Sequence, residues 1–463
     1  MNKLLKGSLA VGGGALALET LRRLLKDTPN PRYEPWERKP YTEFENKVLI
    51  LGGGFGGYTS AKSLCKMIEK RNDVGVMVIS KENYFTFWPM LAGVISSDIE
   101  TKNVAQPLRR SLIEHGASFR RAYVESVDLE HKVVTATGEG VDKIEVPYDH
   151  LIMSLGGEPA YFGIPGVEKH ALSMTGIHTA EDIRNRVIER FEEATLRGGD
   201  VPPSRLTFVI IGGGATGVET ASELHSLVHN AITPDYPNIN PRRVRIVLVD
   251  RNKQVLKELD PALRRTARKK LADLQIEVIS NVKAKEITAD KVILDDGNEI
   301  ETENVVWTAG ARASVKLEDI DLPSDERKGL EVDAYCRVKG HDSVWGIGDC
   351  AANVDAEGTP IPPNAQAAVQ GGHAAAKNVL AVIDGEDLEP FEYKSLGQLV
   401  ELGSSFAVND VMGVKFSGLI AALFWRATYL FKTESPQNRA RIAADWLLDL
   451  FFHPTVTQLR GRD

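Results

Sequence analysis

The chain has 463 residues, of which 43% are hydrophobic, and its formal net charge is -8 at pH 7. This length exceeds what one hydrophobic core usually serves, which favours two nucleotide-sized domains with an appendage. The negative charge provides no sequence-wide basic field, so nucleic acid is not expected as a partner. The three cysteines form no CxxC or CxxxxC pair, which favours a reducing compartment and argues against a redox-active disulfide and a metal site.

The first 46 residues predict a helix over Leu4–Leu25 and then an extended arm. Residues 28–46 carry four prolines and many charges, a composition that is typical of arms rather than cores. Apolar stretches occur near both ends of the chain, but each is shorter than the about 20 apolar residues that a membrane-spanning helix needs. The folded part is expected to begin at Lys47.

A glycine-rich opening follows the first apolar run, Val48–Leu51. The letters LGGGFGG fill the GxGxxG template directly before a helical stretch, and the template positions are Gly52, Gly54 and Gly57. Glycines there let the backbone approach a pyrophosphate, whose charge the N-terminus of the helix meets. Ser80 ends the next strand, where an acidic residue is usual, and its hydroxyl can bind a ribose.

A second opening of the same kind follows Thr207–Ile211. The letters IGGGATGVE place glycines at the three template positions Gly212, Gly214 and Gly217. Two templates in one chain predict one FAD site and one NAD site, because hydride transfer requires the two rings to be held together. Asp250 ends the following strand and favours NADH, although Arg251 could receive the 2'-phosphate of NADPH.

Further strands are expected between and after the two openings. The candidates are Val76–Ile79, Leu151–Ser154, Arg245–Val249, Lys291–Leu294, Val305–Thr308 and Val344–Ile347. Their alternation with helical stretches predicts an α/β fold with mostly parallel sheets, organised as two Rossmann-like domains.

The two openings, together with VVWTAG and WGIGDCA, resemble the two-dinucleotide-binding-domain flavoproteins of the pyridine nucleotide-disulfide oxidoreductase superfamily. This resemblance implies a cofactor-binding role for Gly310 in the first segment and for Asp349, on the FAD ribityl chain, in the second. The resemblance covers roughly residues 47–395. The predicted domains are 1–46 (helix and arm), 47–160 with 335–395 (FAD), 161–334 (NAD) and 396–463 (C-terminal membrane-associating region).

The segment PPNAQAAVQGG is similar to the AQxxxQ element of type II NADH:quinone oxidoreductases. Gln366 and Gln370 are four residues apart, which places both amides on one helix face, where they can flank a planar quinone. A solvated helix face is the alternative for this pair. The segment NYFTFWPML, with Pro89, resembles the stretch after the second strand of the family's FAD domain. Lys394, in YKSLGQLVELG, matches a lysine near flavin and quinone, or is a surface charge.

The C-terminus predicts an amphipathic helix over Arg439–Phe452, preceded by an aromatic-rich stretch at Leu419–Phe431. Both segments fit a membrane interface, so the protein is expected to be peripheral on the cytoplasmic face of a membrane. The alternatives are a homodimer interface and packing on the FAD domain.

These patterns favour a non-proton-pumping type II NADH:quinone oxidoreductase, in which Glu219, Gln366, Gln370 and Lys394 are the candidate catalytic residues. Glu219 would relay protons to the quinone, or accept a structural hydrogen bond. Two other functions stay open. A sulfide:quinone oxidoreductase would rely on cysteines near the flavin, and a redox-sensing flavoprotein would bind NADH but turn over slowly.

Overall fold

The computed structural model describes residues 39–314, 320–326, 328–449, 451–452 and 456–458. The helix expected at Leu4–Leu25 and most of the N-terminal arm lie outside these residues. The described chain opens with a short 3-10 turn at Tyr41–Glu43 and enters the first strand at Asn46.

A five-stranded parallel sheet forms around the first glycine opening. Its spatial order is β21 (Val344–Gly346), β9 (His150–Met153), β1 (Asn46–Leu51), β2 (Val74–Ser80) and β5 (Ser118–Arg121). The side chains of β2 are buried on both faces, as expected for a strand covered by helices. The strand order reverses beside β1, and such a switch point is where open α/β sheets bind ligands.

A second five-stranded parallel sheet forms around the second opening. Its order is β11 (Ala171–Ser173), β18 (Asn304–Trp307), β12 (Thr207–Ile211), β13 (Arg245–Asp250) and β14 (Glu277–Ser280). β12 occupies the same place in this sheet as β1 occupies in the first. The parallel α/β architecture that the sequence predicts is therefore confirmed.

Eleven α-helices lie in the described residues. In chain order they are α1 (Phe55–Met67), α2 (Gly93–Ser96), α3 (Thr101–Val104), α4 (Leu108–His115), α5 (Val167–His170), α6 (Ile177–Leu196), α7 (Ala215–Ser226), α8 (Pro261–Asp273), α9 (Ala365–Asp384), α10 (Leu419–Lys432) and α11 (Pro436–Leu448). α1 and α7 follow the two glycine openings directly.

Smaller sheets complete the fold. Three-stranded antiparallel sheets are formed by β6 (Tyr123–Asp128), β7 (Val133–Gly138) and β8 (Val141–Pro147), by β15 (Ala284–Ile287), β16 (Lys291–Leu294) and β17 (Glu299–Glu301), and by β23 (Gln398–Glu401), β24 (Ala407–Val411) and β25 (Val414–Gly418). Two-stranded ladders pair β3 (Tyr84–Thr86) with β4 (Ala105–Pro107), β10 (Gly157–Pro159) with β19 (Ala311–Ala313), and β20 (Leu330–Glu331) with β22 (Ala351–Ala352). The strand expected at Lys291–Leu294 thus forms, but in an antiparallel sheet.

The C-terminal region docks on the first part of the chain through polar contacts. Asn103 donates a 2.7 Å hydrogen bond to Asp445, and Lys62 lies 2.7 Å from Glu434. Gln106 Oε1 accepts hydrogen bonds from the backbone N–H groups of Glu434 and Ser435, each at 3.1 Å. Within the described residues, no helix has the length and apolar character that crossing a membrane would require.

Candidate functional site

The first glycine loop turns sharply between β1 and α1. Gly52 has φ +102°, a conformation that favours glycine, and its N–H donates to the carbonyl of Ile79 on β2 at 2.8 Å. A Cβ on Gly57 would lie 1.9 Å from the carbonyl oxygen of Gly52, whereas a Cβ on Gly54 would meet nothing within 4 Å. The loop is therefore closed on the protein side and open at the N-terminus of α1.

The second loop repeats this geometry between β12 and α7. Gly212 has φ +118°, and its N–H donates to Val249 on β13 at 2.8 Å. A Cβ on Gly217 would lie 1.8 Å from the carbonyl oxygen of Gly212, and the space around Gly214 is open to 4 Å. Each loop thus presents backbone N–H groups and a helix N-terminus to an open space, an arrangement that suits a pyrophosphate.

Ser80 and Asp250 occupy equivalent places at the ends of β2 and β13. A Cβ on Gly53 would lie 3.0 Å from the Ser80 hydroxyl oxygen, and one on Gly213 would lie 2.2 Å from Asp250 Oδ2. Asp250 Oδ1 accepts hydrogen bonds from the backbone N–H and side-chain amide of Asn252, at 2.8 and 2.9 Å. The second carboxylate oxygen of Asp250 therefore faces the glycine loop, where a ribose would lie.

Asp349 lies in the short turn after β21, next to the first loop. A Cβ on Gly157 would lie 3.2 Å from the Asp349 Cβ. Burial raises the pKa of Asp349, and no hydrogen bond from a described residue offsets this shift. A half-buried carboxylate of this kind fits the hydroxyl groups of a ribityl chain. Together with the open space at Gly54, this environment fits FAD.

Gly310 lies beside the second sheet, just after β18. Its φ is +77°, and a Cβ there would lie 2.4 Å from the Phe162 ring. Its carbonyl accepts the N–H of Ala160 at 3.2 Å. The structure therefore gives Gly310 a packing role between two chain segments, and a cofactor contact at this residue stays a prediction.

Gln366 and Gln370 lie on the first turns of α9, whose N-cap Asn364 accepts the N–H of Ala367. Gln366 accepts the N–H of Leu396 and donates to the carbonyl of Gly397, at 2.9 and 2.8 Å. Gln370 accepts the N–H of Lys394 and donates to its carbonyl, both at 2.9 Å. The two amides therefore fasten segment 394–397, a role that spacing alone did not predict.

Lys394 lies at the surface, and Pro89 lies in a short turn that follows β3. The Lys394 side chain is 79% exposed and its Nζ lies 3.6 Å from Glu392, so its backbone, rather than its ammonium group, contacts Gln370. Pro89 belongs to a 3-10 turn at Trp88–Met90 whose outer tryptophan is exposed. A cofactor contact at Pro89 stays a prediction.

Glu219 lies on the first turns of α7 and faces the C-terminal region. Its Oε1 accepts the backbone N–H of Glu401 on β23 at 3.3 Å. Burial raises the pKa of Glu219 to about 8, opposed by the Glu401 N–H and reinforced by Glu223. A carboxyl with this pKa holds a proton at neutral pH and can release it, as a proton relay requires.

Charged residues that sequence reasoning missed surround Glu219. Glu401 Oε1 lies 3.7 Å from the guanidinium Nε of Arg426 on α10. Burial raises the pKa of Asp98, Glu223 and Glu401, which come from three separate parts of the chain. Glu401 lies within the YKSLGQLVELG segment, whereas Asp98 and Glu223 lie outside the motifs, and only the folded chain brings the three together. Across the described residues, no group of three or more metal-ligating side chains occurs.

The three cysteines are buried and form no disulfide. Burial raises the pKa of the Cys350 thiol to about 11 and raises that of Cys336 as well. Cys350 Sγ donates to the carbonyls of Met153 and Ile347, at 3.4 and 3.2 Å. Neutral, enclosed thiols are poor nucleophiles and serve packing.

Two family models match the chain. The pyridine nucleotide-disulphide oxidoreductase model covers residues 46–372, and the NDH2 C-terminal domain model covers residues 396–453. The first match includes both glycine loops and Asp349, and the second includes Glu401 and Arg426.

Known proteins are similar to this chain over most of its length. A probable NADH dehydrogenase of Dictyostelium discoideum is 31% identical over 88% of this chain and 90% of its own length. The type II NADH:quinone oxidoreductase NdhA of Mycobacterium tuberculosis is 30% identical, over 87% of this chain and 86% of its own. The structure of NDH2 from Plasmodium falciparum in complex with NADH covers 88% of this chain and 99% of that one, with TM-score 0.80 and 19% identity.

Proposed function

The chain belongs to the pyridine nucleotide-disulphide oxidoreductases and, within them, to the type II NADH:quinone oxidoreductases, and we propose that it passes electrons from NADH through FAD to a membrane quinone. FAD, when bound, supplies the redox chemistry, taking the hydride and giving up electrons to the quinone. The chain contributes binding, orientation and proton supply.

The observation that carries the proposal is the pairing of two dinucleotide loops with an uncovered apolar surface. Ala421, Ala422 and Trp425 bury one face of α10, while the opposite face exposes Leu423 (58%) and Phe424 (41%). Soluble enzymes with soluble acceptors rarely leave such a surface uncovered. A quinone dissolved in a bilayer is an acceptor that this surface can reach.

The first loop is the proposed FAD site. Gly52 and Gly57 shape the loop, Gly54 leaves space for the pyrophosphate, and Asp349 and Ser80 offer groups to the ribityl and ribose hydroxyls. The second loop, with Asp250 at the end of β13, is the proposed NADH site. This assignment follows the acidic strand end, which suits an unphosphorylated ribose.

The glutamine pair and Glu219 are proposed to serve the quinone reaction. Gln366 and Gln370 hold segment 394–397 in place, and each amide retains a second N–H for a ligand carbonyl. Glu219 is proposed to deliver protons to the reduced quinone, because its pKa of about 8 keeps it protonated at neutral pH. Lys394 is proposed to act through its backbone.

We further propose that the uncovered surface binds the cytoplasmic face of a membrane. This surface, the apolar tail face, consists of Leu419, Ile420, Leu423, Phe424, Phe431, Leu447, Leu448, Phe451 and Phe452, each of which is exposed. Amphipathic helices of this type lie in the interface with their apolar side chains among the lipid tails. A homodimer through the same face is the competing arrangement.

Vesicle flotation tests this surface. The double substitution Leu423→Glu and Phe424→Glu should abolish flotation with lipid vesicles, whereas Leu196→Glu should not, although Leu196 on α6 is 87% exposed. Undiminished flotation of the double variant would rule out the apolar tail face as the binding surface. If the double variant sediments with a lower mass than the wild type in the absence of vesicles, the surface forms a homodimer instead.

NADH oxidation by the FAD-loaded protein tests the main proposal. Rapid oxidation that requires a short-chain quinone is expected, with slower oxidation of NADPH at low concentration. Failure of NADH to reduce the flavin, together with reduction by sulfide, would indicate the sulfide:quinone reaction. The buried thiols argue against that reaction, so the double variant Cys336→Ser and Cys350→Ser should retain activity. Very slow reoxidation by every quinone would indicate a redox sensor.

A further inference from the structure

The Glu219 carboxyl is linked to the C-terminal helices by a short chain of contacts. The backbone N–H of Glu401 donates to Glu219 Oε1 at 3.3 Å, and the Glu401 carboxylate lies 3.7 Å from Arg426 Nε. The Arg426 guanidinium in turn stacks over the Trp446 ring of α11, 5.0 Å from its centroid. β23 therefore contacts the residue that is proposed to supply protons, and α10 and α11 are connected to it through Glu401 and Arg426.

The pair formed by Glu401 and Arg426 is enclosed. Their side chains are 12% and 17% exposed. The facing Glu401 Oε1 and Arg426 Nε have no hydrogen-bond partner, because 3.7 Å is an ion-pair distance. Charges held with so little water interact more strongly than charges on the surface, since the medium between them screens less. A change in one member should therefore be felt by the other and by Glu219.

Other titratable groups face the pair from each neighbouring element. They are Asp98 in the loop after α2, Glu219 and Glu223 on α7, Tyr429 on α10, and Asp449 at the end of α11. Arg426 is the cation that opposes this set of carboxyl groups, and it lowers the pKa of Asp98, Glu223, Glu401 and Asp449. Arg426 is paired with Glu401, and Glu219 in turn raises the pKa of Glu401, so Glu401 connects Arg426 with Glu219.

We propose that Glu401 and Arg426 are positioning residues for quinone reduction, which set the readiness of Glu219 to hold and release a proton and tie it to the docked C-terminal helices. This inference rests on the proposed quinone reductase function and adds to it. Burial raises the pKa of Glu401 to about 8, a rise that Arg426 opposes and Glu219 reinforces, so the two carboxyl groups ionise over the same pH range. Where Glu401 is ionised, its charge opposes the ionisation of Glu219, which keeps the proton on Glu219 at a higher pH.

The substitution Glu401→Gln separates charge from geometry. It keeps the peptide N–H that donates to Glu219 and removes only the carboxylate. The alkaline limb is the fall of quinone turnover at high pH. Its midpoint should then move down by about one pH unit, since a neighbouring negative charge has been lost. Arg426→Gln should move the limb in the same direction, because a buried carboxyl without its cation stays protonated. The double variant should match the single variants rather than sum their shifts.

Two controls accompany the pH profiles. Glu434 lies in the link between α10 and α11, and its carboxylate pairs with Lys62 at the surface. Glu434→Gln removes this carboxylate and should leave the alkaline limb in place. Thermal unfolding of each FAD-loaded variant gives a readout apart from activity. The pKa of Glu401 is about 8, above its value in an unfolded chain, so its contribution to stability is lost as pH rises through 8. The wild-type melting temperature should therefore fall more steeply from pH 6 to 9 than that of Glu401→Gln.

The outcomes separate the inference from the function on which it rests. Wild-type protein without quinone-dependent NADH oxidation would overturn both. Active wild-type protein whose alkaline limb does not move in either single variant would overturn only the role of Glu401 and Arg426. Shifts that add in the double variant would do the same, because they would mean that Arg426 acts on Glu219 independently of Glu401.

Discussion

The first and second glycine loops differ in their side chains at two places where their backbones agree. Both loops begin at a glycine with positive φ that donates 2.8 Å to the neighbouring strand, and both close on that glycine's carbonyl. The following strand ends at Ser80 in one case and at Asp250 in the other. Likewise α1 carries Thr59 where α7 carries Glu219. The backbone serves any dinucleotide, and these side chains distinguish the two sites.

The location of Glu219 adds a further difference. Thr59 packs near Gly372, where α1 and α9 approach each other closely, and Ser60 donates to the Gly372 carbonyl at 3.1 Å. Glu219 instead meets β23 of the C-terminal region. The helix after the first loop thus packs beside the proposed FAD site, whereas the helix after the second loop connects the proposed NADH site to the proposed quinone and membrane region.

The largest expected effect comes from disrupting the shared backbone. Gly57→Ala and Gly217→Ala would each place a Cβ within 2 Å of a carbonyl oxygen, at 1.9 and 1.8 Å, so the loop must move. We expect each to cost about 3 kcal/mol of stability, as overpacking of a rigid site does. Gly57→Ala should lose FAD. Gly217→Ala should keep FAD but lose NADH binding.

Flavin absorbance and thermal unfolding measure these effects. Gly138→Ala on β7 is the matched control, because the nearest atom to its added Cβ is 3.5 Å away, an ordinary contact. Loss of FAD from Gly217→Ala, with Gly57→Ala keeping it, would reverse the assignment of the two loops.

The next effect tests the proton role that distinguishes α7 from α1. Glu219→Gln should slow quinone reduction by about 100-fold, the lower range for loss of a general acid, and should leave flavin reduction by NADH unchanged. In the wild type, turnover should fall above pH 8, because the carboxyl has a raised pKa of about 8 and is protonated only below it. Stopped-flow measurement of the two half-reactions separates them. Full quinone turnover of the variant across pH would refute the relay.

The sequence predicted the backbone of both loops because glycine spacing and apolar strands are local signals. The strands at Thr207–Ile211 and Lys291–Leu294 agree with the structure to the residue, and the C-terminal helix at Arg439–Phe452 overlaps α11 (Pro436–Leu448). Periodicity did not reveal that Lys291–Leu294 belongs to an antiparallel sheet, because pairing depends on distant partners. The domain bounds and the roles of single site residues stay predictions.

The surroundings of Glu219 could not be predicted, since they depend on tertiary contacts. Glu401 lies in YKSLGQLVELG and Arg426 in the aromatic-rich stretch Leu419–Phe431, but both are far from Glu219 along the chain and neither pattern indicates a contact with it. For the glutamine pair, helical spacing correctly placed both amides on one face, but their hydrogen bonds to segment 394–397 required the folded backbone. For Lys394, the resemblance implied a lysine near flavin and quinone, with a surface charge as the alternative, and the structure exposes its ammonium group.

A smaller effect is expected at the acidic strand end. Asp250→Asn keeps an oxygen that can accept the hydrogen bonds from Asn252 but removes the charge that a ribose hydroxyl would meet. Loss of a charge-assisted hydrogen bond should raise the KM for NADH roughly tenfold and leave the FAD content unchanged. Asp273→Asn, on the exposed side of α8, is the control. An unchanged KM for NADH would remove Asp250 from the proposed ribose site.

The smallest effect is expected at Ser80, the counterpart of Asp250. A neutral hydroxyl contributes about 1 kcal/mol to a hydrogen bond, so Ser80→Ala should weaken FAD binding roughly fivefold. The change removes one oxygen from a buried strand end, and the stability of the loaded protein should otherwise be retained. Titration of the flavin-free protein with FAD measures the affinity. If the affinity for FAD fell by as much as 100-fold, Ser80 would contribute as much to binding as a charged residue would. The expected difference between Ser80 and Asp250 would then be wrong.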